Sequence, residues 1–498
     1  MFENISVFSV VFVLLVCFII HRLLFNRRKY DPPLPPAAGT RLPVIGHFHL
    51  LDRDMRGPLD KLRKKCGDIF LLHMGSIPSV VISGYEALKD GYKNNPDFFT
   101  DRPYFLHALN KVTRGGQGIV MARNEAWKEH RRFTLSTLKD FGMGKSNLEV
   151  SIHEEAKHLI DEINAHKEDP FDPKDLLSAH VANIICSISF RGSFKHTDPR
   201  FQGMIKMFDE NLASAGGLAN FFPWVTSIPG DPLGVTKMFR NSDRVHEFCE
   251  DIIREHIETY DENCIDDLTS AYIKHLKKLE SSNESTTMSY QYLASLIADL
   301  FIAGSETTTT TLRWALVCLV EHPDKQERMF AEIEHHVGSS RLPSVQDKAD
   351  LTYVEAFYME VLRYCVITII GNFHMTPVDV VFRGHTIPAN TVVIPNIWSV
   401  FSDPDIWGDP ENFRPERFLD DNGNIVKKEE YIPFMIGKRS CVGESLARME
   451  LFLFLSALVQ RFKFESPPGT KVTFAEIDGQ FGIVHCPKPY KIVAKVRP

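Results

Sequence analysis

The sequence has no close pair of cysteines. Its nine cysteines are spread over 498 residues and no two form a C-x-x-C pair, so neither a zinc ribbon nor a disulfide scaffold is indicated. It also lacks an excess of positive charge, because 57 Lys and Arg stand against 64 Asp and Glu, giving a net charge of −7. Without a global basic field, we expect no nucleic acid among its partners.

Two hydrolase motifs are missing as well. No G-x-S-x-G occurs at a strand-to-helix turn, and the sequence His153-Glu154 followed by His158 has the wrong spacing for the zinc-protease motif H-E-x-x-H. The composition, 44% apolar and 24% charged, is that of a globular protein and excludes a disordered or collagen-like chain.

One long apolar run lies near the N-terminus. Residues 5–20 are apolar apart from two serines, and three more apolar residues follow at 23–25. As a helix, residues 5–25 would span about 30 Å, the thickness of the bilayer's hydrocarbon core. A basic cluster at 27–29 follows the run, which argues against a cleaved signal peptide and places the rest of the chain in the cytosol. We therefore expect a transmembrane signal anchor at residues 1–29.

Residues 30–50 are rich in proline, with five prolines and two glycines. Such a stretch cannot form a helix and predicts a stiff, extended hinge that holds the body at a fixed attitude to the membrane. Residues 51–498 then form the catalytic domain. A later segment, 212–235, combines glycines and prolines with aromatic residues; either a second contact with the membrane surface or packing under a lid would explain it.

The body shows mostly helical periodicity, which predicts a mainly α fold with small β-sheets (α+β). Short strands are expected at Ile69–Met74 and Ser79–Ser83. The longest apolar helix pattern, Leu293–Val320, contains five consecutive threonines, which are poor helix formers. A further helix is expected to start with a capping box formed by Thr352 and Glu355.

Cys441 stands in a distinctive setting. Gly437 and Gly443 flank it and indicate a tight turn with close backbone approach to a flat object. A strongly apolar helix, 445–462, follows directly, so the helix dipole and Arg439 would stabilise a thiolate at this position. Such a sulfur is suited to be a nucleophile or a metal ligand.

Together these residues resemble the cytochrome P-450 family of haem-thiolate monooxygenases, along the whole chain. Five family motifs occur in the family's order and spacing: W-x-x-x-R at Trp127 and Arg131, (A/G)-G-x-(D/E)-T at Ala303–Thr307, E-x-x-R at Glu360 and Arg363, P-E-R-F at Pro415–Phe418, and F-x-x-G-x-R-x-C-x-G at Phe434–Gly443. The hinge and residues 443–454 resemble the microsomal members. The resemblance implies a triangular helical body that encloses haem, preceded by a transmembrane helix.

The resemblance also implies roles for single residues. Cys441 would be the axial thiolate ligand of the iron of haem b, shielded from water by Phe434, with Gly437 turning the loop beneath the ring and Gly443 admitting the following helix. The haem propionates would be bound by the side chains of Trp127, Arg131, His374 and Arg439. Ala303 would line the haem site. By the same resemblance, the segments that line the substrate pocket would be residues 101–122, the region near 204–218, and residues 293–307, 366–373 and 474–484.

On the long helix, Thr307 and Glu306 would form a relay that brings protons to the reacting oxygen, with Gly304 opening space beside them. The alternative for Thr307 is a hydrogen bond to the carbonyl four residues earlier. Glu360, Arg363 and Arg417 would form a buried structural triad rather than take part in catalysis.

The implied function is insertion of one atom of O2 into a lipophilic substrate: a steroid, a fatty acid or a xenobiotic. The expected partners are NADPH-cytochrome P-450 reductase as electron donor, cytochrome b5 and membrane lipid, at the endoplasmic reticulum membrane. Lys128, Arg132 and Lys139 would form a basic docking surface for an acidic donor, or only a solvated face.

Two other functions remain open: a haem-dependent isomerase or dehydratase acting on peroxides, and a non-catalytic haem protein. Relatives that rearrange peroxides often lose the threonine relay, which is retained here. Two positions depart from the family pattern: Ile369 stands where many members have a proline, and Phe401 where a histidine is common.

Overall fold

The structure is a computed structural model that describes residues 30–141, 146–196, 198–213, 215–482 and 484–497. The expected anchor, residues 1–29, lies outside this range. Among the described residues, no helix combines the length and the apolar character needed to cross a membrane.

The body is mainly helical. The helices are α1 Arg56–Cys66, α2 Tyr85–Lys89, α3 His107–Val112, α4 Asn124–Asp140, α5 Ser146–Ala165, α6 Lys174–Phe190, α7 Pro199–Ala213, α8 Val235–Glu258, α9 Leu268–Ser282, α10 Tyr290–Glu321, α11 Pro323–His336, α12 Thr352–Cys365, α13 Trp398–Phe401, α14 Pro404–Trp407, α15 Glu444–Arg461 and α16 Phe474–Ile477. Short 3-10 turns occur at Phe48–Leu50, Ala215–Asn220, Pro223–Ser227, Val345–Ala349 and Pro415–Phe418, and a π turn at Asp90–Asn94.

The strands are short and form small sheets, as predicted. They are β1 Ile69–Met74, β2 Ile77–Ser83, β3 His374–Met375, β4 Val380–Phe382, β5 His385–Ile387, β6 Val392–Asn396, β7 Phe462–Glu465, β8 Gln480–Phe481, β9 His485–Cys486 and β10 Val493–Val496. One sheet has the order β1-β2-β6-β3; in it β2 runs parallel to β6, with Ser79 opposite Val392, and antiparallel to β1, with Ile69 opposite Ile82. Two-stranded sheets pair β4 with β5, β7 with β10, and β8 with β9.

Helix α10 runs through the core of the body, and residues 308–319 are buried on every side. Four of its five threonines, all but Thr309, have hydroxyls that find partners close by in the described part of the chain, which helps the helix to tolerate them. Thr307 donates to the carbonyl of Ala303 at 2.7 Å, Thr311 to the carbonyl of Thr307 at 2.8 Å, and Thr308 to Glu450 of α15 at 3.0 Å. These bonds satisfy polar groups that would otherwise oppose burial.

The capping box expected at Thr352 and Glu355 is wrong. The helix begins with Thr352 inside it, and its free N–H groups are capped by a carboxylate from α11. Glu332 accepts hydrogen bonds from the backbone N–H of Tyr353 at 2.8 Å and of Val354 at 3.0 Å. The cap is thus supplied by a neighbouring helix, which no local pattern can reveal.

The proline-rich segment packs on the sheet. The N–H of Ala38 donates to the carbonyl of Leu71 at 2.9 Å, which ties the segment to β1. Within residues 212–235, one aromatic side chain fits the interpretation that the segment packs on the body, and another fits the interpretation that it contacts the membrane. Phe221 is buried and packs edge-on against Phe48, with ring centroids 5.5 Å apart, whereas Trp224 is 60% exposed.

Candidate functional site

The loop that carries Cys441 is closed by its own backbone. The N–H of Cys441 donates to the carbonyl of Phe434 at 3.0 Å, and α15 begins three residues later. Gly437 has a φ of +86°, and a Cβ at this position would lie 2.0 Å from the carbonyl oxygen of Tyr92. Glycine is therefore required here by the approach of a neighbouring backbone. At Gly443 the nearest atom to a Cβ would be the Cys441 sulfur, at 4.0 Å.

Cys441 is an exposed residue, although protein atoms enclose most of the surroundings of its sulfur. This surrounding raises its pKa, whereas the N–H of Gly443 and the charge of Arg131 lower it. The positive charge acting on the sulfur is thus Arg131, whose guanidinium donates to the carbonyl of Ser440 at 2.8 Å. The expectation that Arg439 supplies this charge is wrong, because its guanidinium donates instead to carbonyls of other segments, Thr100 and Ala122.

A buried basic cluster lies beside this loop, formed by Arg102, Arg131 and Arg439 with Trp127. The guanidinium of Arg439 lies over the Trp127 ring, 4.0 Å from its centroid. Two donors in the cluster, Arg439 Nη1 and Trp127 Nε1, are buried without a hydrogen-bond partner in the described residues. Buried donors are rarely left unsatisfied in proteins, so the cluster fits an acceptor that is not part of the chain.

The charges of the cluster support the same conclusion. Burial, together with the charges of Arg102 and Arg131, lowers the pKa of Arg439 to about 8. Burial likewise lowers the pKa of Arg102 to about 10. Asp101, the carboxylate that acts on both, is itself paired with Arg123 at 2.8 Å. Three guanidiniums in one buried region therefore favour a ligand with more than one negative charge, such as the two propionates of haem.

Arg102 was not found by the sequence analysis. It is 4% exposed, and its guanidinium donates to the carbonyls of Val120 at 3.0 Å and Phe373 at 2.7 Å. These contacts come from distant segments, so no spacing marks the residue. Its only signal is that it lies within residues 101–122, a segment expected to line the pocket.

His374 is buried on β3. Its Nδ1 donates to the carbonyl of Phe99 at 2.5 Å, and its ring packs edge-on against Tyr92. Burial lowers the pKa of His374, and the charges of Arg102 and Arg439 lower it further. The imidazole is therefore neutral, and Nε2 is the atom left for a ligand.

Helix α10 places its two expected catalytic side chains in different surroundings. The hydroxyl of Thr307 donates to Ala303, as the alternative interpretation stated. The carboxyl of Glu306 accepts from Thr310 at 3.3 Å and from the Cys486 thiol at 3.5 Å. Burial raises the pKa of Glu306, and Asp209 raises it further. No hydrogen bond joins Glu306 to Thr307 in the part of the chain described.

Gly304 has a packing role on the same helix. A Cβ at this position would lie 2.4 Å from Cδ1 of Ile185 on α6. The missing side chain thus permits the close contact of α10 with α6, a reason different from the expected space for oxygen.

Glu360, Arg363 and Arg417 meet in a buried ion triad. The guanidinium of Arg363 donates to both oxygens of Glu360, at 2.7 Å each, and Arg417 donates to Oε1 at 3.0 Å. All three side chains are at most 3% exposed. Arg363 and Arg417 also donate to backbone carbonyls between residues 401 and 412. The triad thereby fixes the backbone of residues 401–412 in place.

Ile369 and Phe401, the two departures from the family pattern, are both buried. Phe401 packs against the rings of Trp407 and Tyr431, with centroids 6.0 and 6.2 Å away. An apolar ring therefore fills this position without loss of packing.

Comparison with known proteins agrees with this site. Residues 36–494 match the model of the family described as Cytochrome P450. The chain is 36% identical over 515 aligned positions to the protein named Cytochrome P450 2U1 of Homo sapiens, covering 97% of this chain and 93% of that one. It is 38% identical over 501 positions to Cytochrome P450 2D27 of Mesocricetus auratus, covering 99% and 97%. It is 36% identical over 474 positions to Cytochrome P450 2J3 of Rattus norvegicus, covering 93% and 91%.

The chain therefore belongs to the cytochrome P450 family. It is a monooxygenase, and its cofactor is haem b.

Proposed function

We propose that Cys441 would provide the thiolate ligand of the haem iron and that the basic cluster would bind the two propionates. The observation that carries this proposal is the pair of unsatisfied buried donors, Trp127 Nε1 and Arg439 Nη1, next to the Cys441 loop. Arg102, Arg131 and Arg439 would balance the two negative charges. Because the Nδ1 hydrogen of His374 is donated to Phe99, its Nε2 is an acceptor and would meet a propionate through a bridging water or a protonated carboxyl.

Haem, when bound, supplies the iron at which dioxygen is activated. The chain's residues provide the surroundings. Cys441 holds its sulfur as a thiolate, because a bound metal ion favours the deprotonated form more strongly than burial opposes it. Phe434, half-buried beside the guanidinium of Arg448, keeps water from the sulfur.

Thr307 and Glu306 are proposed to deliver protons from adjacent positions on α10, about 100° apart around the helix axis. The hydroxyl hydrogen of Thr307 is used by Ala303, so its oxygen lone pairs are left to accept a hydrogen bond from a protonated group in the pocket. Glu306, with its raised pKa, retains a proton near neutral pH more readily than an exposed carboxyl. Protons would reach Glu306 from solvent past the ion pair of Lys174 with Asp209, since the charges of both residues affect the pKa of Glu306.

We further propose a lipophilic substrate: a steroid, a fatty acid or a xenobiotic. The segments expected to line the pocket carry few charges, and apolar pockets select apolar ligands. The exposed side chains of Lys128, Arg132 and Lys139 on α4 would bind an acidic electron donor, NADPH-cytochrome P-450 reductase, with cytochrome b5 as a second donor. Lys128 is partly neutralised by Glu125 at 2.7 Å.

The proposed location is the endoplasmic reticulum membrane, with residues 1–29 as a single-pass anchor and the body in the cytosol. Two exposed apolar side chains support a contact of the body with lipid. Val44 of the hinge is 71% exposed and Trp224 is 60% exposed. Phe48 of the hinge packs on Phe221 and Phe222, which places the two segments side by side. They would form one surface at the lipid headgroups.

The test combines a spectrum with a turnover measurement. Cys441→Ser should lose the carbonyl spectrum typical of thiolate-ligated haem. Thr307→Ala should keep that spectrum but, with reductase and NADPH, release peroxide in place of product. Thr311→Ala is the matched control, because Thr311 makes the same bond to a carbonyl four residues back but is buried.

Normal coupling in Thr307→Ala would refute the relay. A screen for substrates by the shift in haem spin state, followed by mass analysis of products, tests the substrate class. Product formed from a peroxide without NADPH and O2 would favour the isomerase or dehydratase. The absence of any product would favour a non-catalytic haem protein.

Charge reversal tests the docking face. Changing Lys128, Arg132 and Lys139 to Glu should raise the KM for reductase without altering the haem spectrum. Lys157→Glu, an exposed lysine on α5, is the control. An unchanged KM in the triple variant would leave these residues as a solvated face.

A further inference from the structure

A second cluster of charged side chains lies away from Cys441. Glu155 and Glu162 are two helical turns apart on α5 and therefore share a face of that helix. His180 comes from α6, and His196 from the segment that joins α6 to α7. Nothing in the proposed monooxygenase chemistry uses these four residues.

The side chains form a closed ring. His180 Nδ1 lies 2.7 Å from Glu155 Oε2, and His196 Nε2 lies 3.6 Å from the same oxygen. His196 Nδ1 lies 2.7 Å from Glu162 Oε1. One ligand atom each from Glu155, His180 and His196 fall within 4.8 Å of one another.

One atom in the ring lacks a partner. His180 is fully buried, and since Nδ1 donates to Glu155, Nε2 is a buried acceptor that has no hydrogen bond among the residues the structure describes. It faces Glu162 Oε2 at 3.7 Å, and an acceptor facing a carboxylate is unfavourable. If a metal ion took Nδ1, the ring proton would move to Nε2, which could then donate to Glu162.

The ring has the composition of a zinc site. Imidazole nitrogen and carboxylate oxygen bind Zn²⁺ at about 2 Å, which places tetrahedral ligand atoms about 3.3 Å apart. The distances around Glu155 are 2.7 and 3.6 Å, so small side-chain movements suffice. Metal-bound histidines usually donate their other ring N–H to a carboxylate, and Glu162 lies beside the second nitrogen of both histidines.

We propose that Glu155, His180 and His196 bind a zinc ion, with Glu162 as the carboxylate that orients both histidines. Water would complete the coordination. The sequence His153-Glu154 followed by His158 does not form this site, although it lies on the same helix; the neighbouring residue Glu155 supplies the ligand.

The site would fasten the segment 191–198 to α5 and α6. This segment leads into α7, whose Phe208 stacks on Phe301 of α10 with ring centroids 5.1 Å apart. Zinc would therefore hold the start of a helix that packs against α10, and its role is structural.

The alternative occupant of the ring is a proton. The carboxylates of Glu155 and Glu162 on either side of His196 raise its pKa, so an imidazolium between them would also be stable. That alternative does not satisfy His180 Nε2, and it predicts no affinity for zinc beyond that of the protein surface.

The experiment uses the full chain, loaded with haem and purified in detergent without a histidine tag. After treatment with a chelator, radioactive zinc is added by equilibrium dialysis, and haem iron counts the protein molecules. We expect about one tightly bound zinc per iron, and we expect His196→Gln to weaken binding about tenfold or more. His196 is 19% exposed, so this variant should fold. His158→Gln, an exposed histidine on α5, is the matched control and should bind as the unaltered protein does.

A second measurement is independent of folding defects. Zinc X-ray absorption should show only nitrogen and oxygen ligands at about 2 Å, with the scattering pattern of imidazole. The proposal is overturned if the unaltered protein retains no zinc, if His196→Gln binds it equally well, or if sulfur appears among the ligands. None of these outcomes depends on the haem chemistry.

Discussion

Replacing Trp127 by Phe tests whether the indole N–H of Trp127 binds a haem propionate. An aromatic ring beside the guanidinium of Arg439 is kept, while the N–H and part of the indole are removed. Within the described residues that N–H has no partner, so its loss breaks no bond within the polypeptide. The accompanying loss of ring volume is the same in the control Trp314→Phe. The effect of losing the N–H should appear only in the retention of haem.

The magnitude follows from the kind of bond. A hydrogen bond to a charged group contributes about 1.5–3 kcal/mol. At about 1.4 kcal/mol for each factor of ten, Trp127→Phe should lose haem about 10–100-fold faster than the unaltered protein. The rate is measured by transfer of haem to an excess of apomyoglobin.

Trp314→Phe is the matched control. The N–H of Trp314 donates to the carbonyl of His485 at 2.9 Å in a fully buried position. Its removal strands a buried acceptor and should lower the free energy of unfolding by about 1–3 kcal/mol. The reasoning is refuted if Trp127→Phe retains haem normally, or if Trp314→Phe releases haem as fast as Trp127→Phe.

Three further predictions concern stability. Glu360→Gln should destabilise the protein by about 3–5 kcal/mol, seen as a lower melting temperature, because two buried guanidiniums lose their charge partner; Glu416→Gln, in a more exposed pair with Arg328, should cost about 1 kcal/mol or less. Gly437→Ala should abolish the yield of haem-loaded protein, since its Cβ would overlap a backbone oxygen. Gly443→Ala is the control and should be tolerated. A normal yield of Gly437→Ala would contradict the close contact. Burial raises the pKa of Asp299 from 3.8 to about 6. The contribution of this carboxyl to the stability of the protein is therefore full below pH 3.8, and it is lost as the pH rises through about 6. Asp299→Asn should therefore flatten the melting temperature between those pH values, and an unchanged slope would count against it.

The sequence predicts those parts of the site that depend on local spacing. Trp127 and Arg131 lie on one helix as expected, and Glu360 meets Arg363 across one helical turn. Arg102 could not be predicted, because its contacts come from carbonyls far along the chain.

The same limit explains the predictions that were wrong. The capping of α12 depends on Glu332. At Gly437 the φ of +86° agrees with the expected tight turn, and only the contact with the backbone of Tyr92 could not be predicted. Arg439 was assigned to the sulfur because it is two residues away, yet its guanidinium points to other segments. Tertiary packing decides each of these cases.

The three guanidiniums of the basic cluster have a consequence for the biosynthesis of the protein. Burial is the main reason that the pKa values of Arg102 and Arg439 are low, and repulsion among Arg102, Arg131 and Arg439 lowers them as well. A newly made chain would therefore gain much of its final stability only at the moment of haem insertion. The amount of mature protein in a cell should consequently follow the supply of porphyrin, with chains left without it removed by quality-control proteases.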